Sequence, residues 1–331
     1  MSPALSKVRT SVLRKSGVNP LPKEKIAVLA GGPSCEREIS LISGKAVFDA
    51  LSSAGWPVVL IDAVDDFISE LKRGHISKVF LALHGTFGED GTVQRLLEKE
   101  AIAYTGDDAS ASELAFDKAR AQAVFHAAGI PIPKFLVLEK GKALPSLEKV
   151  TWPCVVKPSQ CGSSVGVSIV LKQKDFERAC ALAFRYSDAI LAEAYIQGRE
   201  LTVGILGDQI LPVVEVIPGR KFYDYEAKYR DAGTRYEFPA KLTPPQAEKV
   251  SRMAWRAYQA LGCRVMARVD LILNDQDEPI VLEVNTIPGL TGKSLLPKAA
   301  QASGIAFPEL CVRILELSFN GKEVHGKTNQ K

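Results

Sequence analysis

Long apolar runs are missing from this chain: none approaches the roughly 18 residues of a membrane span, so a membrane protein is not expected. The first 25 residues also lack the continuous hydrophobic centre of a secretory signal. Charge of one sign is scarce. The 42 Lys and Arg against 38 Asp and Glu give a formal +4 spread along the chain, too mild to argue for nucleic acid. The six cysteines (35, 154, 161, 180, 263, 311) form no C-x-x-C pair and no metal spacing, so reduced thiols in a cytoplasm are the expectation. No G-x-G-x-x-G and no Walker A motif is present, and no repeat or low-complexity stretch interrupts the chain.

What is there is ample material for a core: 331 residues, 46% hydrophobic, enough for two or three domains. The start is a basic arm (Lys7, Arg9, Arg14, Lys15, Lys23 and Lys25 against Glu24), expected to be a solvated tail, with an organelle transit peptide as the alternative. From Lys25 to about Ala115 strands alternate with helices (Ile26 to Ala30, a helix to Ala54, Val58 to Asp62, Lys78 to Leu83), a pattern that predicts a parallel sheet with right-handed crossovers. A helix over Glu113 to Ala128 is predicted next, then the stiff linker Gly129 to Pro133. Hairpin strands follow, Cys154 to Lys157 with Val167 to Val170, then a helix over Asp175 to Tyr186 and the strand Ile190 to Glu193. These boundaries divide the chain into an arm (1–24), an α/β domain (25–115), a central lobe (116–205), a C-terminal lobe (206–320) and a tail (321–331).

One hairpin carries chemistry. The strands Val265 to Leu273 and Pro279 to Val284 flank the turn Asn274 to Glu278. Folding symmetric about Gln276 and Asp277 pairs Arg268 with Asn285 and Asp270 with Glu283 on one face, leaving Val269, Leu271, Leu282 and Val284 for the core. Facing carboxylates repel unless a cation lies between them. Carboxylates plus an amide oxygen suit a hard ion such as Mg²⁺; a surface salt-bridge cluster with Arg268 is the alternative on the hairpin alone. The long irregular loop Thr286 to Gly292 that follows favours function.

Other turns point the same way. Gly31-Gly32-Pro33-Ser34 lies beyond a strand C-terminus and opens a helix containing Glu36-Arg37-Glu38, where open α/β sheets bind ligands; acids at a helix start are also merely structural in many proteins. His84 ends a strand beside Gly85, Gly88 and Gly91 and reads as functional by the same rule. Lys157 precedes the nine-residue loop Pro158 to Gly166, whose glycines and hydroxyls suit phosphate oxygens. Glu193 and Glu200, at the ends of neighbouring strands, are candidates to accept hydrogen bonds from a ribose. The aromatic run Phe222 to Tyr229, inside an irregular stretch from Pro218 to Pro239, reads as a lid or binding loop.

Together these residues resemble the D-alanine–D-alanine ligases of the ATP-grasp superfamily over roughly residues 25–319. The matching runs are Gly31-Gly32 with Glu36 to Ser40, Leu83-His84-Gly85, Val156 to Ser159 with Gly162 to Gly166, Tyr223 to Tyr229, Ala267 to Asp270, and Leu282 to Gly289. The resemblance implies an α/β and α+β protein: an N-terminal parallel-sheet domain and two α+β lobes that grip ATP. It implies a cytoplasmic enzyme that joins two D-alanines at the expense of ATP for peptidoglycan synthesis, and a homodimer without membrane or nucleic-acid partners.

The resemblance also assigns roles. Asp270, Glu283 and Asn285 hold Mg²⁺ or Mn²⁺, two ions in all. Lys118 and Lys157 contact ATP phosphates, and Gly162, Ser163, Ser164, Val165 and Gly166 close over them. Glu193, Ala194, Tyr195, Ile196, Glu200 and Phe222 surround the nucleoside. Glu36 receives the first substrate's ammonium, with His84 in the same pocket. Arg268 and the Gly289 N–H meet the oxyanion, and Ser294 with Leu295 holds the second carboxylate. Glu36, Ser163 and Tyr229 form a trio that pins the lid, with Lys228 beside it. Tyr229 in Glu226-Ala227-Lys228-Tyr229 looks like the dipeptide-forming type, against D-alanine–D-lactate ligases.

The chain departs from the family pattern at Ala267, at Gln160-Cys161 and at Ala194-Tyr195, changes that bear on nucleotide affinity more than on chemistry. Cys161, in a glycine loop, is a candidate exposed thiol. The competing readings are another ATP-grasp carboxylate–amine ligase and a silent ATP-binding module; retention of Arg268 with the three metal candidates disfavours the second. A dinucleotide-dependent dehydrogenase fails for want of the glycine fingerprint.

Overall fold

The structure, a computed structural model, describes residues 24–219 and 233–320. The lid candidates Phe222, Lys228 and Tyr229, residues 1–23 of the basic arm and the tail lie outside the described residues.

The first layer alternates strand and helix: β1 (Ile26–Ala30), α1 (Arg37–Ser53), β2 (Val58–Asp62), α2 (Phe67–Arg73), β3 (Lys78–Leu81), α3 (Thr92–Lys99) and β4 (Ala103–Tyr104). Its four strands run parallel in the order β2-β1-β3-β4. Every residue of β1, Ile-Ala-Val-Leu-Ala, is buried, as a strand in the middle of a parallel sheet requires. Regular pairing on β3 ends at Leu81, two residues before the expected end, which places His84 in the loop beyond the strand.

The helix expected over Glu113 to Ala128 is two helices, α4 (Ala109–Phe116) and α5 (Lys118–Ala127). Asp117 between them is extended (φ −84°, ψ 97°), and its carboxylate accepts from the N–H groups of Ala119 (3.1 Å) and Arg120 (3.2 Å). Helical periodicity runs straight through Asp117, but an aspartate that caps the next helix competes with the backbone ladder, and here it wins. The break sets Lys118 at the first turn of α5.

Two antiparallel layers follow. β5 (Phe135–Glu139), β6 (Cys154–Pro158), β7 (Ser168–Val170), α6 (Phe176–Ala183) and β8 (Ala189–Ala194) build a four-stranded sheet of order β5-β8-β6-β7. β9 (Gly198–Leu206), β10 (Gln209–Ile210), β11 (Val214–Ile217), β12 (Arg235–Glu237), α7 (Pro244–Ala260), β13 (Met266–Asn274) and β14 (Pro279–Asn285) build a six-stranded sheet of order β12-β11-β9-β13-β14, with β10 on β9. Residues 198–205, which the sequence division puts in the central lobe, are thus hydrogen-bonded into this sheet. β12 likewise shows that the stretch to Pro239 is not wholly irregular. α8 (Leu295–Ala302) and α9 (Phe307–Asn320) end the described chain.

The six-stranded sheet separates its faces by strand alternation. On β13, Ala267, Val269, Leu271 and Leu273 are buried in one cluster with Val250, Ala254, Ala257 and Tyr258 of α7, each such side chain contributing about 1.5–3 kcal/mol when fully buried. Arg268, Asp270 and Ile272 point the other way, into a cleft. α7 begins where the sequence demands it: Thr243 and Gln246 form a reciprocal capping box with proline at the first turn. The C-terminal helices pack Leu296, Leu310 and Ile314 into the same cluster as Val28, Leu29 and Val47, tying the parallel sheet to this layer. Among the described residues no helix is long and apolar enough to cross a membrane.

The β13–β14 register is Arg268 opposite Asn285 and Asp270 opposite Glu283, as the hairpin symmetry predicts. Nearer the turn, however, Leu271 pairs with Val281 and Leu273 with Pro279. The turn is therefore centred on Gln276, and a bulge between Asp270 and Leu271 restores the register at the acidic pairs. The assignment of Leu282 to the core is corrected by this bulge: Val281 fills the core, and Leu282 lines the cleft.

Candidate active site

The cleft between the two antiparallel sheets holds a cavity of about 590 Å³. It gathers Lys118 from the start of α5, Lys157 from β6, Glu193 and Ala194 from β8, Glu200 from β9, Arg268 and Asp270 from β13, and Glu283 and Asn285 from β14. Tyr195, Ile196, Gly162, Ser163, Ser164 and Leu295 complete its lining among the predicted residues. Glu193 and Glu200 are not on neighbouring strands, as the sequence suggested; their strands belong to different sheets that face each other across the cavity.

Charges in the cleft are compensated pairwise. Lys157 Nζ lies 2.7 Å from Glu193 Oε2, both side chains buried. Lys118 Nζ donates to the Cys161 carbonyl at 2.8 Å and stands 3.5 Å from Glu283 Oε2. The Arg268 guanidinium forks onto Asp270, Nε to Oδ1 at 2.9 Å and Nη2 to Oδ2 at 2.6 Å, a bidentate geometry that fixes both groups. Asp270 also accepts from the Thr202 hydroxyl at 2.7 Å and from Asn285 Nδ2 at 3.2 Å. The facing carboxylates of the hairpin thus each have their own cation, one of them supplied by α5. The salt bridge expected as the alternative is present, but Arg268 is 7% exposed, so it is not a surface cluster.

Asp270, Glu283 and Asn285 offer only oxygen to an ion, and the Asn285 amide nitrogen is already given to Asp270, so its carbonyl oxygen is the atom left to coordinate. Among the described residues no group of three or more His, Cys, Asp or Glu is arranged to hold a metal. Two carboxylates and an amide are an incomplete shell, which fits a Mg²⁺-like ion that completes its coordination with water and phosphate oxygens.

The loop from Pro158 to Gly166 crosses to the parallel-sheet domain. Ser163 and Ser164 adopt left-handed backbone (φ 50° and 56°), and the Ser163 hydroxyl donates to Glu36. Glu36 is buried beneath it, and a Cβ on Gly85 would sit 2.6 Å from Glu36 Oε2, so only glycine fits there. His84, also buried, bonds Ser43 Oγ through Nε2 at 2.9 Å and faces Glu89 Oε1 through Nδ1 at 3.4 Å. Glu89 in turn lines the cavity. Glu36 and His84 do not line it, and neither do Val165, Gly166, Gly289 or Ser294. Ser294 precedes α8, but its hydroxyl is engaged by Thr291 (2.9 Å to Thr291 Oγ1) rather than by the helix N–H groups, and a Cβ on Gly289 would come within 2.8 Å of it.

The sequence model of the D-ala D-ala ligase N-terminus matches residues 64–107, and that of the C-terminus matches residues 124–316. A D-alanine–D-alanine ligase of Methylacidiphilum infernorum is 48% identical over 93% of this chain and 100% of its own length. The chain belongs to the D-alanine–D-alanine ligase family. A crystal structure of a Bacillus anthracis member complexed with ATP superposes with a TM-score of 0.80 at 33% identity, over 89% of this chain and 97% of that one. The Enterococcus faecalis D-Ala:D-Ser ligase VanG superposes at 0.78 with 28% identity, over 90% of this chain and all of that one. The family's ATP-grasp architecture is the one described above.

Several site residues escaped the sequence. Gln122, fully buried mid-helix, donates to the Leu282 carbonyl at 3.1 Å and reaches Glu193 Oε1 at 3.4 Å, joining the two antiparallel layers. Nothing in its sequence neighbourhood marks it. Asp117 accepts from Ser159 Oγ (2.6 Å) and Gln160 Nε2 (2.9 Å), anchoring the 158–166 loop to the α4–α5 break; the local signal is an aspartate three residues before Arg120, masked by the unbroken helical periodicity around it. Ser43 and Glu89, the partners of His84, lie in or near segments already singled out. Cys161 is half-buried, and burial pushes its thiol up to about 11, so it is a less reactive thiol than its glycine loop suggested.

Proposed function

We propose that this protein joins two D-alanines into D-alanyl-D-alanine at the expense of ATP, for peptidoglycan synthesis in the cytoplasm, and that it works as a homodimer. The observation that carries the reading is the convergence of Lys118, Lys157, Arg268, Asp270, Glu283 and Asn285 on one cavity between two antiparallel sheets.

In this reading ATP occupies that cavity, with Glu193, Ala194, Tyr195, Ile196, Glu200 and Phe222 around the nucleoside and Lys118, Lys157 and the 162–166 loop on the phosphates. Asp270, Glu283 and Asn285 would hold Mg²⁺ or Mn²⁺, which when bound supplies neutralisation of phosphate charge. Glu36, with His84 nearby, anchors the ammonium of the first D-alanine. A carboxylate oxygen of that D-alanine bonds to the γ-phosphorus, the bond to the β,γ-bridging oxygen breaks, and D-alanyl phosphate and ADP result. The neutral amine of the second D-alanine then attacks the acyl carbon, its nitrogen gives up one proton, the C–O bond to phosphate breaks, and phosphate leaves. Arg268 and the Gly289 N–H meet the tetrahedral oxyanion, a preorganised donor pair whose members typically contribute on the order of a hundredfold or more in rate. Ser294, at the start of α8 beside Leu295, holds the second carboxylate where a helix N-terminus favours an anion. Tyr229 and Lys228 close the site with Glu36 and Ser163. The half-buried Ser163–Glu36 bond supports this, because it draws the 162–166 loop onto the residue proposed to anchor the first substrate.

The test is coupled ADP release with D-alanine, with and without magnesium, on the wild type and on Glu283→Gln. The variant is expected to lose nearly all turnover with its circular dichroism unchanged. Undiminished turnover in excess chelator would sink the metal assignment, and phosphate release that needs D-lactate would redirect the reading to a depsipeptide ligase.

A further inference from the structure

Behind the wall of the cleft, the segments proposed to grip phosphate meet at one hydrogen-bonded knot. Lys157 is the last but one residue of β6, and just beyond it the Ser159 N–H donates to the Ala189 carbonyl at 2.9 Å, so the root of the 158–166 loop stays bound beside β8. Ser159 is fully buried, and its other polar groups go to the start of α5. Its carbonyl accepts from the Lys118 N–H at 3.0 Å, and its hydroxyl accepts from the Ala119 N–H at 3.1 Å while donating to Asp117 Oδ1 at 2.6 Å. Asp117 Oδ1 also accepts from the N–H groups of Ala119 (3.1 Å) and Arg120 (3.2 Å), and Oδ2 accepts from Gln160 Nε2 at 2.9 Å. Gln160, where the chain departs from the family pattern, thus supplies a neutral donor.

Capping a helix needs only the N–H groups of its first turn. The bonds from Ser159 and Gln160 exceed that need. Phe116, Lys118, Pro158 and Cys161 line the cavity, whereas Asp117, Ser159 and Gln160 do not. Whatever the knot does for a ligand therefore passes through its neighbours. On the cavity side the same two segments are joined again, because Lys118 Nζ donates to the Cys161 carbonyl at 2.8 Å.

We propose that Asp117 is a positioning residue for the nucleotide phosphates: it splices the first turn of α5 to the root of the 158–166 loop, and so sets the spacing at which Lys118, Lys157 and the loop meet the negative charge. The inference rests on the reading that ATP phosphates lie among those groups. Without the splice, the lysine and the loop have to be ordered as the ligand arrives, and that ordering lowers affinity. The carboxylate itself does not oppose an anion in the cavity at close range, since its oxygens are taken up by four donors behind the lining.

The full-length protein carrying Asp117→Ala, and separately Asp117→Ser, is titrated with magnesium-ATP and with adenosine by displacement of a fluorescent ATP analogue, and is unfolded in urea. Serine restores the helix cap, but its single oxygen cannot also take up Gln160. Asp117→Ala should lower the urea midpoint and weaken ATP about tenfold, with adenosine affinity unchanged, because the knot touches no group proposed to hold the nucleoside. In Asp117→Ser the midpoint should return toward wild type while the loss for ATP remains. Weakening of ATP and adenosine by one common factor, or recovery of ATP affinity along with stability in Asp117→Ser, would reduce Asp117 to a helix cap and overturn the inference. Wild type that binds ATP no better than adenosine would overturn the phosphate reading of the cavity, and the inference with it. Wild type that favours ATP, with the preference kept in Asp117→Ser, defeats the inference alone.

Discussion

Lys157 and Glu193 form the most buried ion pair of the cleft, and the structure makes their energetics testable. Their side chains are 9% and 3% exposed, Nζ and Oε2 are 2.7 Å apart, and the other carboxylate oxygen has Gln122 Nε2 at 3.4 Å. Lys157→Met leaves the Glu193 carboxylate buried with only that long amide contact. Breaking a buried pair by removing one partner costs about 3–5 kcal/mol; with Gln122 retained and the cavity adjoining, the lower end, about 3 kcal/mol, is expected here. Glu193→Gln strands the lysine and costs a similar amount, but Lys157→Met with Glu193→Gln removes both charges together. The double variant should therefore be less destabilised than the sum of the singles, with a coupling of about 2 kcal/mol, inside the range of contacting pairs. Urea unfolding followed by circular dichroism gives the stabilities. ATP titration gives a second readout: because Lys157 also faces the proposed phosphates, its loss should weaken ATP tenfold or more, about 1.4 kcal/mol. Additivity within about 0.5 kcal/mol would refute the reasoning, since independent sites add to that tolerance.

Removing the Arg268 fork by Arg268→Ala should lower kcat about a hundredfold or more, and Arg268→Lys should recover little, because an ammonium cannot reproduce a bidentate fork; a loss under about tenfold in ADP release would remove Arg268 from the oxyanion role. Gly162→Ala should raise the KM for D-alanine, since the new methyl would meet Glu36 Cδ at 3.1 Å and Oε1 at 3.2 Å, and an unchanged KM would separate the loop from the first substrate's pocket. Asp107, fully buried and accepting from the N–H groups of Arg264 (2.6 Å) and Val265 (2.9 Å), has its carboxyl raised to about 6 by burial. An unfolded aspartate titrates near 3.9, so the folded state holds the proton more tightly. Its contribution is full below about pH 4 and is lost as pH rises through about 6, an effect of about 2–3 kcal/mol. Asp107→Asn should therefore gain on the wild type by that amount between pH 4 and pH 8 in urea titrations; parallel pH profiles would contradict it.

What the sequence made legible is what depends on near neighbours along the chain. β1 could be read from an unbroken apolar pentapeptide, and α7 from Thr243, two prolines and Gln246, because those signals act within one turn or one strand. The pairing of Asp270 with Glu283 and of Arg268 with Asn285 on one face of the last hairpin was legible because side-chain alternation and a single turn fix it, and yet that reading had a hidden step. The true turn centre is Gln276, which by itself would slip the pairing by one residue and send Glu283 to the wrong face. The bulge at Leu282 cancels the slip, and Gln122 donates to the carbonyl of that same residue. Gln122 also reaches Glu193, so the distortion that aims Glu283 at the cavity is fastened to the buried pair on the opposite lobe. No local rule predicts such a residue, because its contacts lie 71 and 160 positions away. The same reason explains why the cation beside Glu283 was not foreseen, whereas Arg268 beside Asp270 was: Lys118 reaches Glu283 only because Asp117 breaks a helix whose periodicity never faltered. The residues proposed to do chemistry in this cleft were therefore visible as types and spacings, whereas those that aim them could be found only once the chain was folded. That division makes a specific claim about Gln122. Gln122→Met should leave every proposed ligand in place, and still loosen the register that brings Glu283 to Asp270.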